Sequence, residues 1–268
     1  MSPGFPLAMG ITLTYLGAIA VIPLAALVLK PWALGVDGVW KVLSDPRVLA
    51  ALRLSFGSAI LAALVDAVLG TVIGWTLVRY QFPGRRLLDA LVDLPFALPT
   101  AVAGIALTAL YAPNGPLGGL AALAGIKTAY SPLGIFIALI FVGLPFVVRA
   151  IEPVLSELDQ EVEEAARTLG ATDFQRVAMV VAPALLPSLI SGVGLAFARG
   201  LGEYGSVIFI AGNMPMRTEI APLLIVIKLE EFDYSGAALI GLTMVVMAFG
   251  MLLVINALQT LIARRGAA

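Results

Sequence analysis

The chain has 268 residues, 60% hydrophobic and 12% charged, with a mean hydropathy of +1.03 and a net charge of −1. A soluble domain is about half apolar and about a quarter charged, so composition alone places this chain in a lipid bilayer. There is no Cys, no His and no Gly-Lys pair, which excludes a disulfide framework, a thiolate or imidazole catalyst, Cys- or His-ligated metal and a Walker-type phosphate loop, and the net charge gives no reason to expect nucleic acid.

Six stretches reach, or nearly reach, the about 20 helical residues needed to cross ~30 Å of hydrocarbon, where backbone groups must bond within the segment. The first, Leu7 to Leu29, is uncharged. No Lys or Arg precedes it and its apolar run is too long for a signal-peptide h-region, so an uncleaved helix is expected. Leu54 to Val78 carries Asp66 at its centre, expected to turn into the bundle, hydrogen-bonded or protonated. Gly70 and Gly74 on the same span form a G-x-x-x-G face suited to close helix contact, including contact with another subunit. Ala90 to Tyr111 opens on Asp93 and carries Pro95 and Pro99, which remove two helix donors and are expected to kink or break it. Such irregular backbone is tolerated where it lines a cavity, so Pro95, Pro99 and Thr100 are candidate pathway residues; a simple helix entry with Pro95 in the first turn is the alternative. Asn114 to Gly119 reads as an external glycine-rich turn. Pro132 to Val148 is short and uncharged. Ala184 to Ala211 carries Arg199 and Glu203, four apart and so on one face, either a structural ion pair or part of an anion route. Ser235 to Ala263 is uncharged and completes a single transmembrane domain over 1–268. Trp32, Trp40 and Tyr80 near span ends fit an interfacial aromatic belt.

With the N-terminus inside, residues 79–88, 149–183 and the C-terminal tail face the cytoplasm. The short loops favour this orientation: Arg79, Arg85 and Arg86 lie inside, and only Lys127 lies between spans three and four. Ten of the 33 charged residues fall between Arg149 and Arg176, so this segment must stand in water. Ser156-Glu157-Leu158-Asp159 has the form of a capping box with an acid in the last place. Leu155, Leu158, Val162, Ala165, Ala166 and Leu169 follow helical spacing, and Gly170 stands where a C-terminal cap needs positive φ. Thr172-Asp173-Phe174-Gln175 opens a second short helix, with Phe174, Val177, Ala178 and Val181 on one face and Pro183 expected to end it. One apolar face packs on the protein and the other is free for a partner, unless the segment is only a solvated amphipathic loop.

Glu164-Ala165-Ala166, then Gly170, then Val180 to Pro183, resembles the EAA loop of ABC-importer permeases, with Ala182 where Leu is usual. The resemblance extends over roughly Asp45 to Gln259. Arg79 to Arg86 leading into Leu88 to Gly104, Ala198 to Val207, and Gly212 to Leu224 followed by Glu230 to Gly236 are similar to the T subunit of sulfate/thiosulfate ABC permeases. The first two blocks are shared with molybdate permeases, and the third is closer to the sulfate T subunit.

The resemblance implies an all-α, six-span permease of the type I importer class in the bacterial inner membrane, with both termini cytoplasmic. It implies that Glu164, Ala165, Ala166, Gly170 and Pro183 belong to a loop that docks on a separate ATPase. Small Ala165 and Ala166 would permit close approach. No bound cofactor and no ATPase site are expected in this chain; the resemblance implies ATP-Mg on the partner ATPase. The implied partners are a homologous W-type permease, two ATP-binding subunits and an extracytoplasmic sulfate-binding protein. A molybdate or tungstate permease is the alternative within the class. An ion-coupled transporter using Asp66 and Glu203 predicts inverted repeats, and none is seen; an intramembrane enzyme lacks a catalytic constellation.

Overall fold

The computed structural model describes residues 4–266; of the residues bearing on orientation, the side chains of Arg264 and Arg265 lie outside the described part. The described backbone is helical throughout its regular elements. The chain enters through α1 (Phe5–Leu16), a π turn over Gly17–Val21, and α2 (Ile22–Leu29), with Pro23 near the start of α2. A 3₁₀ turn over Lys30–Leu34 leads to Gly35, which takes a φ of +65° at the start of α3 (Gly35–Leu43).

The long α4 (Pro46–Arg79) begins where Asp45 accepts from the Arg47 N–H at 2.7 Å, with Pro46 in the first turn, where its missing N–H costs nothing. Its 34 residues rise about 51 Å, so it projects well beyond the hydrocarbon. Then come α5 (Arg85–Val92), α6 (Leu94–Ala97), α7 (Thr100–Tyr111), α8 (Pro116–Leu123) and α9 (Pro132–Glu157). The chain continues as α10 (Gln160–Thr168), α11 (Asp173–Arg176), a π turn over Val177–Val181 and α12 (Ala182–Leu201). It closes with α13 (Val207–Ile210), α14 (Ala221–Glu230) and α15 (Tyr234–Gly266).

Five described segments are long and apolar enough to cross a membrane: Leu7–Leu43, Pro46–Arg79, Pro132–Glu157, Asp173–Leu201 and Tyr234–Ala257. The third expected span is in pieces. Its longest continuous helix, α7, has 12 residues and rises only about 18 Å.

Helix α9 is the axis of the core. Ile135, Ala138, Val147, Val148 and Ile151 along it are fully buried, and α4 and α12 both pack against it and against each other. In lipid, helices gain little from hydrophobic burial against one another, so close packing through small residues carries the association. A Cβ at Gly70 would stand 2.7 Å from Val147, one at Gly74 2.9 Å from Ile151, and one at Gly192 2.9 Å from Val147. The G-x-x-x-G face of α4 therefore makes the close helix contact expected of it, with α9 of this chain. Asp66 turns into the bundle as expected and is wholly buried in the same core against Gly143; of the two expected states the hydrogen-bonded one is not made, since neither carboxylate oxygen has a partner.

Candidate functional site

The charged segment forms two short helices, as its spacing predicts, but two boundaries differ. Helix α9 runs on through Glu157, because Ser156 turns its hydroxyl back to the Glu152 and Pro153 carbonyls at 2.7 and 3.0 Å. The cap of α10 is Asp159, which accepts from the Glu161 N–H at 2.9 Å. At the other end Pro183 does not terminate a helix. It lies in the first turn of α12, so α11, the π turn and α12 form one continuous rod.

Gly170, at φ +86°, closes α10. Its N–H donates to Arg167 O at 2.9 Å and that of Ala171 donates to Ala166 O at 3.0 Å, the paired bonds of a Schellman cap that Gly accommodates without strain. Thr172 and Gln175 then form the reciprocal capping box. Between these caps the chain turns with Leu169 and Phe174 88% and 81% exposed. Glu164 and Ala165 are exposed and Ala166 is half-buried. Glu163, immediately before them, is buried and ion-paired to both Arg79 and Arg176.

At membrane depth, two interruptions meet. In the third segment, Leu98 and Pro99 are extended (ψ 136° and 134°) between α6 and α7, as the residue before a proline prefers. Pro95 lies in the first turn of α6. In the fifth, α12 stops at Leu201 and α13 resumes at Val207. The two breaks interlock through glycine: a Cβ on Gly205 would overlap Thr100, and one on Gly104 would overlap the Ser206 backbone.

Glu203 holds the second break together. It accepts from Arg199 Nη1 at 2.5 Å, and from the backbone N–H and hydroxyl of Ser206, both at 2.9 Å. The i,i+4 pair expected from spacing is therefore made, with Glu203 buried and Arg199 partly exposed. Of the candidate pathway residues, Thr100 is brought to the Glu203–Ser206 turn, while Pro95 and Pro99 shape the facing break.

Several other charged contacts join residues far apart in the sequence. Arg149 on α9 binds Asp93 at 2.7 and 2.9 Å, Asp89 at 2.7 Å and Glu152 at 2.5 Å, tying α9 to α5. Arg47 grips the buried Glu219 through two 2.7 Å bonds, fastening the 212–219 segment to the start of α4. That segment is itself tightly formed. Asn213 and Met216 have positive φ, and the Thr218 hydroxyl accepts from the Met214 N–H at 2.9 Å. In the last turn of α14, burial pulls the Lys228 ammonium down, but Glu231 and Asp233 at 3.2 and 3.3 Å more than offset it and hold its pKa above the ordinary value.

Residues 66–266 match the family profile described as "Binding-protein-dependent transport system inner membrane component". Proteins named "Sulfate transport system permease protein CysT" are 47% identical to the chain. The one from Synechocystis aligns over 93% of this chain and 87% of its own length, and the one from Escherichia coli over 98% and 95%. In fold, the chain resembles a crystal structure of a bacterial ABC transporter for alginate import. The TM-score is 0.77 at 14% identity, covering 96% of both chains. An inward-facing MetNI methionine ABC transporter gives 0.58 at 19%, covering 83% of this chain and 98% of that one. With this fold and this degree of identity along nearly its full length, the chain belongs to the binding-protein-dependent transport system inner membrane components, as an all-α integral membrane permease subunit of the type I ABC-importer class.

Proposed function

We propose that the chain forms half of the pathway of an importer for sulfate or thiosulfate, driven by ATP hydrolysed on separate subunits. The observation that carries the substrate is the 47% identity to the sulfate permeases over almost the whole chain. The length of that match includes the tightly folded 212–219 segment.

Residues 1–268 act as one transmembrane permease domain in the bacterial inner membrane, with both termini and the 149–183 segment in the cytoplasm. The surface between Leu169 and Phe174 docks on the ATPase, and Glu164, Ala165, Ala166, Gly170 and Pro183 shape it. Two exposed apolar side chains on a rigidly capped turn suit insertion into a protein groove and have no role in a solvated loop. The remaining partners are a W-type permease that completes the pathway, two ATP-binding subunits carrying ATP-Mg, and an extracytoplasmic sulfate-binding protein.

The interlocked breaks at Pro95, Pro99, Thr100 and at Arg199, Glu203 form this subunit's wall of the route. Arg199 offers positive charge and Glu203 limits how tightly an anion is held, since conduction needs release as well as binding. Uptake of labelled sulfate by vesicles containing the assembled complex tests the reading. Unlabelled sulfate and thiosulfate are expected to compete; competition by molybdate alone would refute the substrate.

A further inference from the structure

Glu163 lies on α10 one residue before the exposed Glu164, yet is itself only 5% exposed. Its two carboxylate oxygens are claimed by arginines from two other elements. Arg79, the last residue of α4, donates to Oε1, and Arg176, the last residue of α11, donates to Oε2. Both arginines are themselves largely buried, and the Nε of each is enclosed with no partner. The Arg79 guanidinium also sits over the Trp75 ring at 5.5 Å. Arg176 has one further contact, Asp173 at 3.4 Å, whose carboxylate is well exposed.

Three charges taken out of water in this way add little to stability compared with well-packed apolar side chains. What they supply is direction. A guanidinium is planar and rigid, and a carboxylate shared between two of them fixes the orientation of all three carriers. The carriers here are the coupling helix α10, the far end of α4 and the rod that becomes α12. The last two also flank α9 in the core.

We propose that Glu163 is a positioning residue for transport: it clamps α10 to the ends of α4 and α12, so that displacement of the docked loop moves both spans as one body. Glu164 points to the partner side of the same helix, and Glu163 to the permease side. The inference rests on the docking of this loop on an ATPase.

This chain has no Cys, so with partner subunits freed of accessible Cys two introduced cysteines are the only labelling sites. Spin labels at Gln81→Cys and Thr168→Cys, both at exposed positions, report the distance between the α4 end and α10 in the full complex. Unmodified at 163, the complex is expected to show one narrow distribution with and without ATP. Glu163→Gln is expected to broaden it and to lower sulfate import per ATP hydrolysed about tenfold, an ordinary allosteric coupling loss, while the ATPase subunit stays bound. Arg79→Gln leaves the Glu163–Arg176 pair in place and should have the same effects through the α4 arm alone. Unchanged distances and unchanged import per ATP in both variants would overturn the clamp and leave docking intact. If neither variant assembles, the triad is structural and the proposal falls. Docking is read separately from Phe174→Asp with the triad untouched: retention of the ATPase subunit there refutes docking.

Discussion

At the scale of single residues, the buried carboxylates do distinct jobs that their neighbours determine. Glu203 is fully satisfied by Arg199 and Ser206, so Glu203→Ala leaves the buried Ser206 N–H without its acceptor. An orphaned buried donor costs about 1–3 kcal/mol, while the partly exposed Arg199 adds little, and thermal unfolding of the purified subunit is expected to show that loss. Arg199→Gln removes charge without removing bulk, so it should assemble and import sulfate more slowly; normal uptake would make Arg199 a structural residue only. The glycines at the crossing are equally specific. Gly104→Ala drives a methyl group into the Ser206 backbone, and overpacking of this kind costs about 1–3 kcal/mol. Gly57→Ala, on α4 with open space around it, is the matched control and should be neutral or stabilising by up to about 1 kcal/mol. Stability measurements on the pair separate packing at the crossing from ordinary helix propensity.

At the scale of elements, Pro99 is the point on which the third segment turns. Pro99→Ala restores a helix donor and frees Leu98 from its extended conformation, so α6 and α7 are expected to join. The account predicts an assembled complex with reduced import and with Thr100→Cys less reactive to water-soluble thiol reagents than on the Pro99 background. Unchanged reactivity and import would show that the break is incidental. The same elements mark what the sequence makes legible. The capping box at Thr172, the positive φ of Gly170, the break between the two prolines and the Arg199–Glu203 pair all depend on residues within a few positions of each other, and all are present. Two expectations failed because the same local chemistry has two outcomes. The Ser156 hydroxyl bonds backward to carbonyls rather than forward to N–H groups. Pro183 suits a helix's first turn as well as its end. The glycine stripe does make its close contact, but which helix it meets, here α9, is not written in the spacing. The Glu163 clamp and the Arg47–Glu219 pair were invisible, because their partners are brought together by the bundle across 84 and 172 residues.

At the scale of the molecule, the apolar surface is divided between lipid and protein. Residues of the 7–29 stretch are largely exposed, and Trp32 and Trp40 stand out near its end, where a membrane interface accommodates amphipathic rings. Leu169 and Phe174 are exposed on the charged segment, and on the proposed topology they lie outside that belt, which is why the loop is proposed as the protein-docking surface. Phe174→Asp should leave the permease folded, as judged by an unchanged unfolding temperature, because the side chain is 81% exposed. The central claim is that this subunit imports sulfate only when that loop is held by a working ATPase. It is tested most directly by measuring labelled sulfate uptake in vesicles of the complete complex, with ATP supplied on the ATPase side, for the native chain and for Phe174→Asp. The account predicts ATP-dependent uptake by the native complex, and loss of both uptake and bound ATPase subunit in the variant. Uptake that persists without ATP, or that Phe174→Asp leaves untouched, would contradict it.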